Sequence, residues 1–379
     1  MRIGKIKVNH YINYAVIGLV TLVFGLITLA GGRLDGSTLF LLEKLAISII
    51  LAVSLSLVVG FLGELSLGHA GFMCVGAYLG GKVAVLLEPA LGNSVLTLLV
   101  SLVIGAAVAA VCGVVIGIPA LRLRGDYLAI VTLAFGEIVK SLFRNTSETT
   151  FGGALGLDTP RYDKRYLFIY AFVLVLITLA VVQNFIRSKH GRAVTAIRDN
   201  EIAAKATGIN VTKYKLLAFI LSATFAGIAG VLYSFSNYTV QSAKFGYNYS
   251  IEILVMVVLG GMGSINGSII AAALITFLNT KLATILTGDL AVLQNLFYAL
   301  ILIIIVIYNN APALKNFRNK YNVGALVKML MKPKEDPAHI RDDAAKWDVV
   351  PTKIEMNEIL SVDMIPQDKQ DLTGNGGAR

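Results

Sequence analysis

The sequence has little charge, two cysteines and few histidines, and each shortage excludes a class of protein. Only 15% of its 379 residues are charged, whereas a soluble domain carries about 25%. Cys74 and Cys112 form neither a disulfide framework nor a zinc-ligand pattern. The 4 histidines are scattered, with no His-Glu-x-x-His helix or paired-carboxylate motif beside them. These shortages argue against a soluble domain, a metal centre and a catalytic constellation.

Long apolar runs are what the sequence has in place of charge. Hydrophobic residues make up 56% of the chain, and a helix of about 20 such residues crosses the hydrocarbon core of a bilayer. We predict an all-α integral membrane protein, a polytopic bundle of about ten transmembrane helices with glycine-interrupted segments. The predicted spans are 13–31, 38–61, 67–88, 94–118, 126–143, 165–187, 214–237, two helices within 250–283, and 290–309.

The distribution of basic residues predicts that both termini are cytoplasmic. With Arg2, Lys5 and Lys7 inside, the basic stretch 187–213 and the residues after the last span also fall inside, as the positive-inside rule requires. The loop 144–165 is basic although this topology places it outside. We divide the chain into a transmembrane permease domain, 1–309, and a charged, proline-containing cytoplasmic tail, 310–379, that is partly disordered.

No nucleotide or cofactor site is predicted in this chain. Residues 76–83 have Walker A spacing, but Val83 stands where a Ser or Thr hydroxyl would bind Mg²⁺. The stretch also lies in a membrane segment. Any ATP-driven work must therefore be done by another polypeptide.

Two glycine-rich stretches, 60–71 and 260–267, interrupt apolar runs. Non-helical backbone survives at membrane depth only when it is buried in protein or lines a watery cavity, and transporters use such breaks beside the substrate path. A tight turn between helices explains each stretch almost as well. The predicted translocation-path residues are Gly63, Glu64, Ser66, Gly68, His69, Gly71, Gly260, Gly261, Gly263, Asn266 and Gly267.

The loop 188–213 lies between two predicted spans. Its Ala, Ile and Val content, the start signal at Asp199-Asn200 and the stop signal at Gly208 predict a short helix. Such a helix would present small residues flanked by charge to a cytoplasmic partner. An ordinary basic inner loop is the alternative.

Four ordered blocks of the sequence resemble the signatures of LivM-type permeases, one of the two membrane subunits of branched-chain amino acid ABC transporters. They are GELSLGHAGFMCVGAY at 63–78, LRLRGDYLAIVTLAFGEI at 121–138, the loop 191–210, and VLGGMGSINGS at 258–268. One departure lies in the loop, where Ile202 holds the position of the glutamate in the general importer motif.

The resemblance implies a mechanism and a set of partners. A second, related permease subunit pairs with this one, two cytoplasmic ATPase subunits bind ATP and Mg²⁺, and an extracytoplasmic binding protein delivers the amino acid. The 188–213 loop then corresponds to the segment that couples ATP hydrolysis to transport in the plasma membrane. The predicted coupling residues are Arg192, Arg198, Asp199, Glu201, Ala203, Ala204 and Gly208.

Other functions stay open from the sequence. Permeases for urea or short-chain amides closely resemble this chain, and no residue decides between these cargoes. A stand-alone ion-coupled carrier is a less favoured reading, because few charges lie in the middle of predicted spans. A membrane enzyme ranks below both, since no catalytic constellation is present.

Overall fold

The computed structural model describes residues 35–92, 94–122, 126–160 and 164–285, and single positions within 14–25 and 299–303. Most of the predicted spans 13–31 and 290–309, and all of the predicted tail 310–379, lie outside the described residues. The statements below concern the described residues alone.

The described chain is a helical bundle with one small β-ribbon. Helix α1 (Gly36–Ser56) continues into a π-helical end (Leu57–Leu62). The other elements, in chain order, are α2 (His69–Leu91), α3 (Val95–Ala120), α4 (Asp126–Arg144), α5 (Glu148–Phe151), β1 (Leu157–Asp158), α6 (Lys164–Arg187), α7 (Lys189–Asp199), α8 (Glu201–Ala206), α9 (Val211–Ser236), β2 (Thr239–Val240), a 3₁₀ turn (Ser242–Phe245), α10 (Tyr247–Gly260) and α11 (Ile265–Ile285).

Six helices of the described part are long and apolar enough to cross a membrane. They are Gly36–Leu62, His69–Leu91, Val95–Ala120, Tyr166–Arg187, Val211–Ser236 and Ile265–Thr284. Helix α10 is apolar but has only 14 residues, so it is shorter than the hydrocarbon core is thick. The predicted division of 250–283 into two helices is confirmed, because α10 ends at Gly260 and α11 begins at Ile265.

Close helix packing around α9 explains part of the glycine content. A Cβ on Gly76 of α2 would lie 2.2 Å from the carbonyl oxygen of Gly227 of α9, and one on Gly230 would lie 2.0 Å from the Met73 oxygen. Gly105 brings α3 to the same contact, with Val231 of α9 beside it. Small residues let helix backbones approach in this way, and dispersion then holds the helices together.

The bundle departs from the predicted all-α class at one end. Strands β1 and β2 pair antiparallel, with Leu157 opposite Val240. The Thr159 hydroxyl donates to the carbonyl oxygens of Ser234 at 2.7 Å and Asn237 at 2.9 Å, so the ribbon is fastened to the end of α9. Strands of two residues leave no alternation for a sequence pattern to reveal.

Candidate functional site

The first glycine-rich break reverses the chain at the end of α1. Gly63 has φ +79°, a left-handed conformation that favours glycine, and the Glu64 amide donates to the Val58 carbonyl at 3.1 Å. The chain then runs back beside α1, because His69 Nε2 lies 2.9 Å from Ser54 Oγ. Ser54 is about 12 Å from Leu62 along α1 at 1.5 Å per residue. Residues 63–68 therefore turn back from the end of α1 and run beside it as far as the start of α2. We call them the re-entrant segment.

Side-chain hydroxyls from two other helices accept hydrogen bonds from a backbone amide of this re-entrant segment and from one in the first turn of α2. The Leu67 amide donates to Thr132 Oγ1 of α4 at 3.0 Å, and the Ala70 amide donates to Ser250 Oγ of α10 at 3.1 Å. Gly68 packs so closely on α4 that a Cβ would lie 2.3 Å from the Thr132 carbonyl oxygen. Such partners allow non-helical backbone away from water.

The second break is a tight turn between α10 and α11. Residues 261–264 connect the two helices, and the Ser264 hydroxyl accepts from the Gly267 amide at 3.2 Å at the start of α11. Gly260 and Gly267 touch, because a Cβ on Gly267 would lie 1.7 Å from the Gly260 oxygen. Here the predicted interruption is confirmed, and it takes the form of an interhelical turn.

The two breaks meet each other and the 188–213 loop at Arg198. A Cβ on Gly60 would lie 2.7 Å from the Gly263 nitrogen, so the end of α1 touches the α10–α11 turn. Arg198 Nη1 donates to the Gly60 carbonyl at 3.1 Å. Its side chain also packs on Gly63, where a Cβ would lie 2.6 Å from Arg198 Cγ. We call Gly60, Gly63, Arg198 and Gly263 the Arg198 junction.

The 188–213 loop contains two helices rather than the single short helix that the sequence predicts. Helix α7 is capped by Ser188 and buries one face through Ala193, Val194 and Ile197. The composition of this helix did not predict it, because it contains a glycine and several basic residues. Helix α8 begins and ends where the signals indicate, because Asn200 Oδ1 accepts from the Ala203 amide at 3.0 Å and Gly208 has φ +84°.

An ion-pair network joins the loop to the first break. Lys215 of α9 is only 4% exposed, and its ammonium group lies 2.5 Å from Glu64 Oε1 and 3.2 Å from Glu201 Oε2. Lys205 binds the other oxygen of Glu201 at 2.9 Å. The hydrogen bond from Lys205, with further support from Lys215, lowers the pKa of Glu201 against the opposing effect of burial. Glu201 therefore stays ionised at neutral pH.

Comparison with known proteins identifies the family. The family model described as "Branched-chain amino acid transport system / permease component" matches residues 37–307. The chain belongs to this family. This family member is 39% identical over 260 residues to the high-affinity branched-chain amino acid transport system permease protein LivM of Salmonella typhimurium, covering 60% of each chain. It is 38% identical to LivM of Escherichia coli, over 64% of this chain and 62% of that protein.

A more distant relative is named for a different cargo. The ribose import permease protein RbsC of Escherichia coli is 26% identical over 78% of this chain and 92% of its own. The chain spans about 60% of the length of the two LivM relatives that it matches. No solved structure matches. The family is one of transport permeases, and the six long apolar helices of the described residues are consistent with a protein that crosses a membrane several times.

The predicted site residues of this permease-family chain fall into two groups. Arg198, Gly63 and Gly263 form the junction, with Glu64 and Glu201 in the adjoining network. The others lie nearby or pack the breaks. Arg192 is exposed and donates to the Arg187 carbonyl, Asp199 binds Arg198, Ala203 is exposed, and Ala204, Ser66, His69 and Gly71 are buried. Asn266 is exposed and lines a cavity of about 310 Å³ with Phe61, Gln183 and Arg187.

Sequence reasoning missed Lys215, which holds the network together. In the sequence, Lys215 is one of several basic residues near the start of a predicted span. Only the fold shows its two carboxylate partners. The cargo-path role of the break residues stays a prediction.

Proposed function

We propose that this chain is a membrane permease subunit of an ATP-binding-cassette importer and forms the translocation path for branched-chain amino acids. One observation supports this above all: in a chain of this permease family, Arg198 links the 188–213 loop to both glycine breaks. A loop that only connected two spans would have no need of a side chain reaching the ends of α1 and α10. The names of the LivM relatives support the cargo.

The proposed arrangement has ten spans and both termini in the cytoplasm, in the plasma membrane of a bacterium or archaeon. The basic residues of the 188–213 loop support the cytoplasmic position of the Arg198 junction. Helix α1 then runs inward, and α2 and α9 run outward from the junction side.

The proposed partners are a second homologous permease subunit, two ATPase subunits and an extracytoplasmic binding protein. Ile202 supports a docking role for α8, because this apolar side chain is 77% exposed on a helix whose buried residue is Ala204. A partner subunit that covered this side chain would remove its apolar surface from water. ATP and Mg²⁺ belong to the ATPase subunits in this proposal, and this chain holds no cofactor.

The geometry indicates how movement would pass from the ATPase subunits to the membrane. When they close on ATP, they displace α8. Glu201 and Lys215 carry that displacement to Glu64, and Arg198 carries it to Gly60 and the α10–α11 turn. The end of α1 and the turn then move as one unit, because they already touch.

Ile202→Asp is expected to weaken co-purification of the ATPase subunits about tenfold, since a charge would replace an apolar side chain that the proposed interface buries. The measurement is quantitative mass spectrometry of the proteins that co-purify with the tagged permease from the native membrane. Leu155→Asp is the matched control, because Leu155 is 70% exposed but lies near the β-ribbon end. Equal ATPase recovery from Ile202→Asp and wild type would contradict docking through α8.

The cargo is tested with the complete transporter in proteoliposomes. ATP-dependent uptake of radiolabelled leucine supports the proposal, whereas uptake of urea without leucine replaces the cargo. Uptake by the isolated chain without ATP would instead establish an ion-coupled carrier.

A further inference from the structure

A cavity of about 350 Å³ lies at the end of the bundle opposite the Arg198 junction. Its walls come from α1, the end of α9, the 3₁₀ turn, α10 and α11. Lys44 in its wall is about 27 Å from Leu62 along α1, at 1.5 Å per residue. The volume falls within the range of about 300–1,000 Å³ that is typical of small-molecule sites.

Lys44 places an ammonium group in this cavity without a carboxylate bound to it. Among the described residues it makes no ion pair within 4.0 Å, and its Nζ lies 6.0 Å from the centroid of the Phe40 ring. Glu252 and Lys244 are the charged groups that interact electrostatically with the Lys44 ammonium group. A half-buried cation in an apolar bundle is costly, so a missing anionic partner is informative.

Glu252 supplies the opposite charge from another wall of the same cavity. Asn279 Nδ2 donates to its Oε1 at 3.0 Å and so fixes the carboxylate. Neither Lys44 nor the second lysine of the lining, Lys244, forms an ion pair with Glu252 within 4.0 Å, so the cavity keeps positive groups apart from one negative group. This spacing suits a ligand that carries both charges.

The rest of the lining supplies a free hydroxyl and an apolar surface. Thr276 is 3% exposed, and its Oγ1 has no hydrogen-bond partner among the described residues. A buried hydroxyl without a partner is rare and indicates a missing group. Phe40, Ile47 and Phe245 offer the apolar contacts that a hydrocarbon side chain needs.

We propose that this cavity binds the zwitterionic head group of an amino acid, with the α-carboxylate on Lys44 and the α-ammonium on Glu252. The aliphatic side chain lies against Phe40, Ile47 and Phe245, and the carboxylate also accepts from Thr276. The inference rests on the proposed import of branched-chain amino acids and names a site for the cargo within it. A neutral amide such as urea carries no charge that could form an ion pair with Lys44 or Glu252.

The test measures binding of radiolabelled leucine to the purified transporter complex without its binding protein, by a scintillation proximity assay. Leucinamide lacks the carboxylate and 4-methylpentanoate lacks the amine. Each is expected to compete at least about tenfold more weakly than leucine, the loss typical of one charge-assisted hydrogen bond. Urea is expected not to compete.

Charge-removing variants assign the two contacts. Lys44→Gln and Glu252→Gln are each expected to weaken leucine binding about tenfold or more. In Lys44→Gln the advantage of leucine over leucinamide disappears, which a purely structural role would not produce. Lys44→Arg is expected to restore much of the binding. Lys281→Gln and Glu88→Gln are the matched controls.

Each negative result has a distinct meaning. If the complete transporter takes up leucine but the purified complex does not bind it, or both Gln variants bind it normally, the cavity is not the head-group site. If wild-type transporter shows no ATP-driven leucine uptake, the proposed cargo fails first. Gel-filtration profiles of all variants separate misfolding from lost binding.

Discussion

Arg198→Glu is expected to reduce ATP-driven uptake at least tenfold while the complex still assembles and hydrolyses ATP. The guanidinium donates to the Gly60 carbonyl, and a carboxylate there would face that oxygen with no proton to give. It would also stand beside the Asp199 carboxylate, which Arg198 binds in the wild type, adding repulsion between like charges. The end of α1 and the α10–α11 turn would then lose their link to the 188–213 loop.

The measurement is the ratio of leucine transported to ATP hydrolysed in proteoliposomes. Lys213→Glu is the matched charge reversal, because Lys213 is exposed in the first turn of α9 and lies outside the junction. Arg198→Lys keeps the charge but loses the planar fork, so intermediate coupling is expected. An unchanged ratio in Arg198→Glu would refute the role of the junction.

The individual parts of this junction are predictable from the sequence, but their meeting is not. Glycine content marked both breaks, and helix start and stop signals marked α8. These signals are local. The Arg198–Gly60 contact joins residues 138 positions apart, and no periodicity or spacing reports such a distance. The π-helical end of α1, which brings Gly60 to Gly263, also has no signature in composition.

The predicted role of the backbone breaks in the cargo path illustrates a second limit of prediction from the sequence. The sequence shows that residues 60–71 free backbone polar groups, but it does not show what binds them. In the structure, Thr132 and Ser250 hydroxyls take two of those amides. The break can therefore be stable without a ligand. Lys44 illustrates the same limit, because a single lysine in an apolar run is compatible with snorkelling, and only the fold shows the cavity that it lines.

The 188–213 loop shows where local chemistry is sufficient. Asn200 precedes the first residue of α8 and Gly208 follows its last turn, as the sequence pattern predicts, since capping depends only on neighbours. Helix α7 depends on burial of Ala193, Val194 and Ile197 against the bundle, and that burial is a property of the fold.

Lys215→Met is expected to destabilise the protein by about 3 kcal/mol, because removing one partner of a buried ion pair leaves charge without compensation. Lys215 is almost fully buried and binds both the Glu64 and the Glu201 carboxylates. Met keeps the length and apolar stem of the side chain, so packing is largely preserved. The measurement is the thermal midpoint of the detergent-solubilised complex, followed by gel filtration.

The double variant Lys215→Met/Glu64→Gln separates charge from shape. It removes the less exposed carboxylate with the lysine, so most of the lost stability is expected to return. Coupling is not expected to return with it, because the Glu201–Lys215–Glu64 link between α8 and the re-entrant segment is still broken. Lys205→Met is the control, since Lys205 is exposed and its pair with Glu201 contributes at most about 0.5 kcal/mol. Full transport by a stable double variant would show that Arg198 alone connects the loop to the breaks.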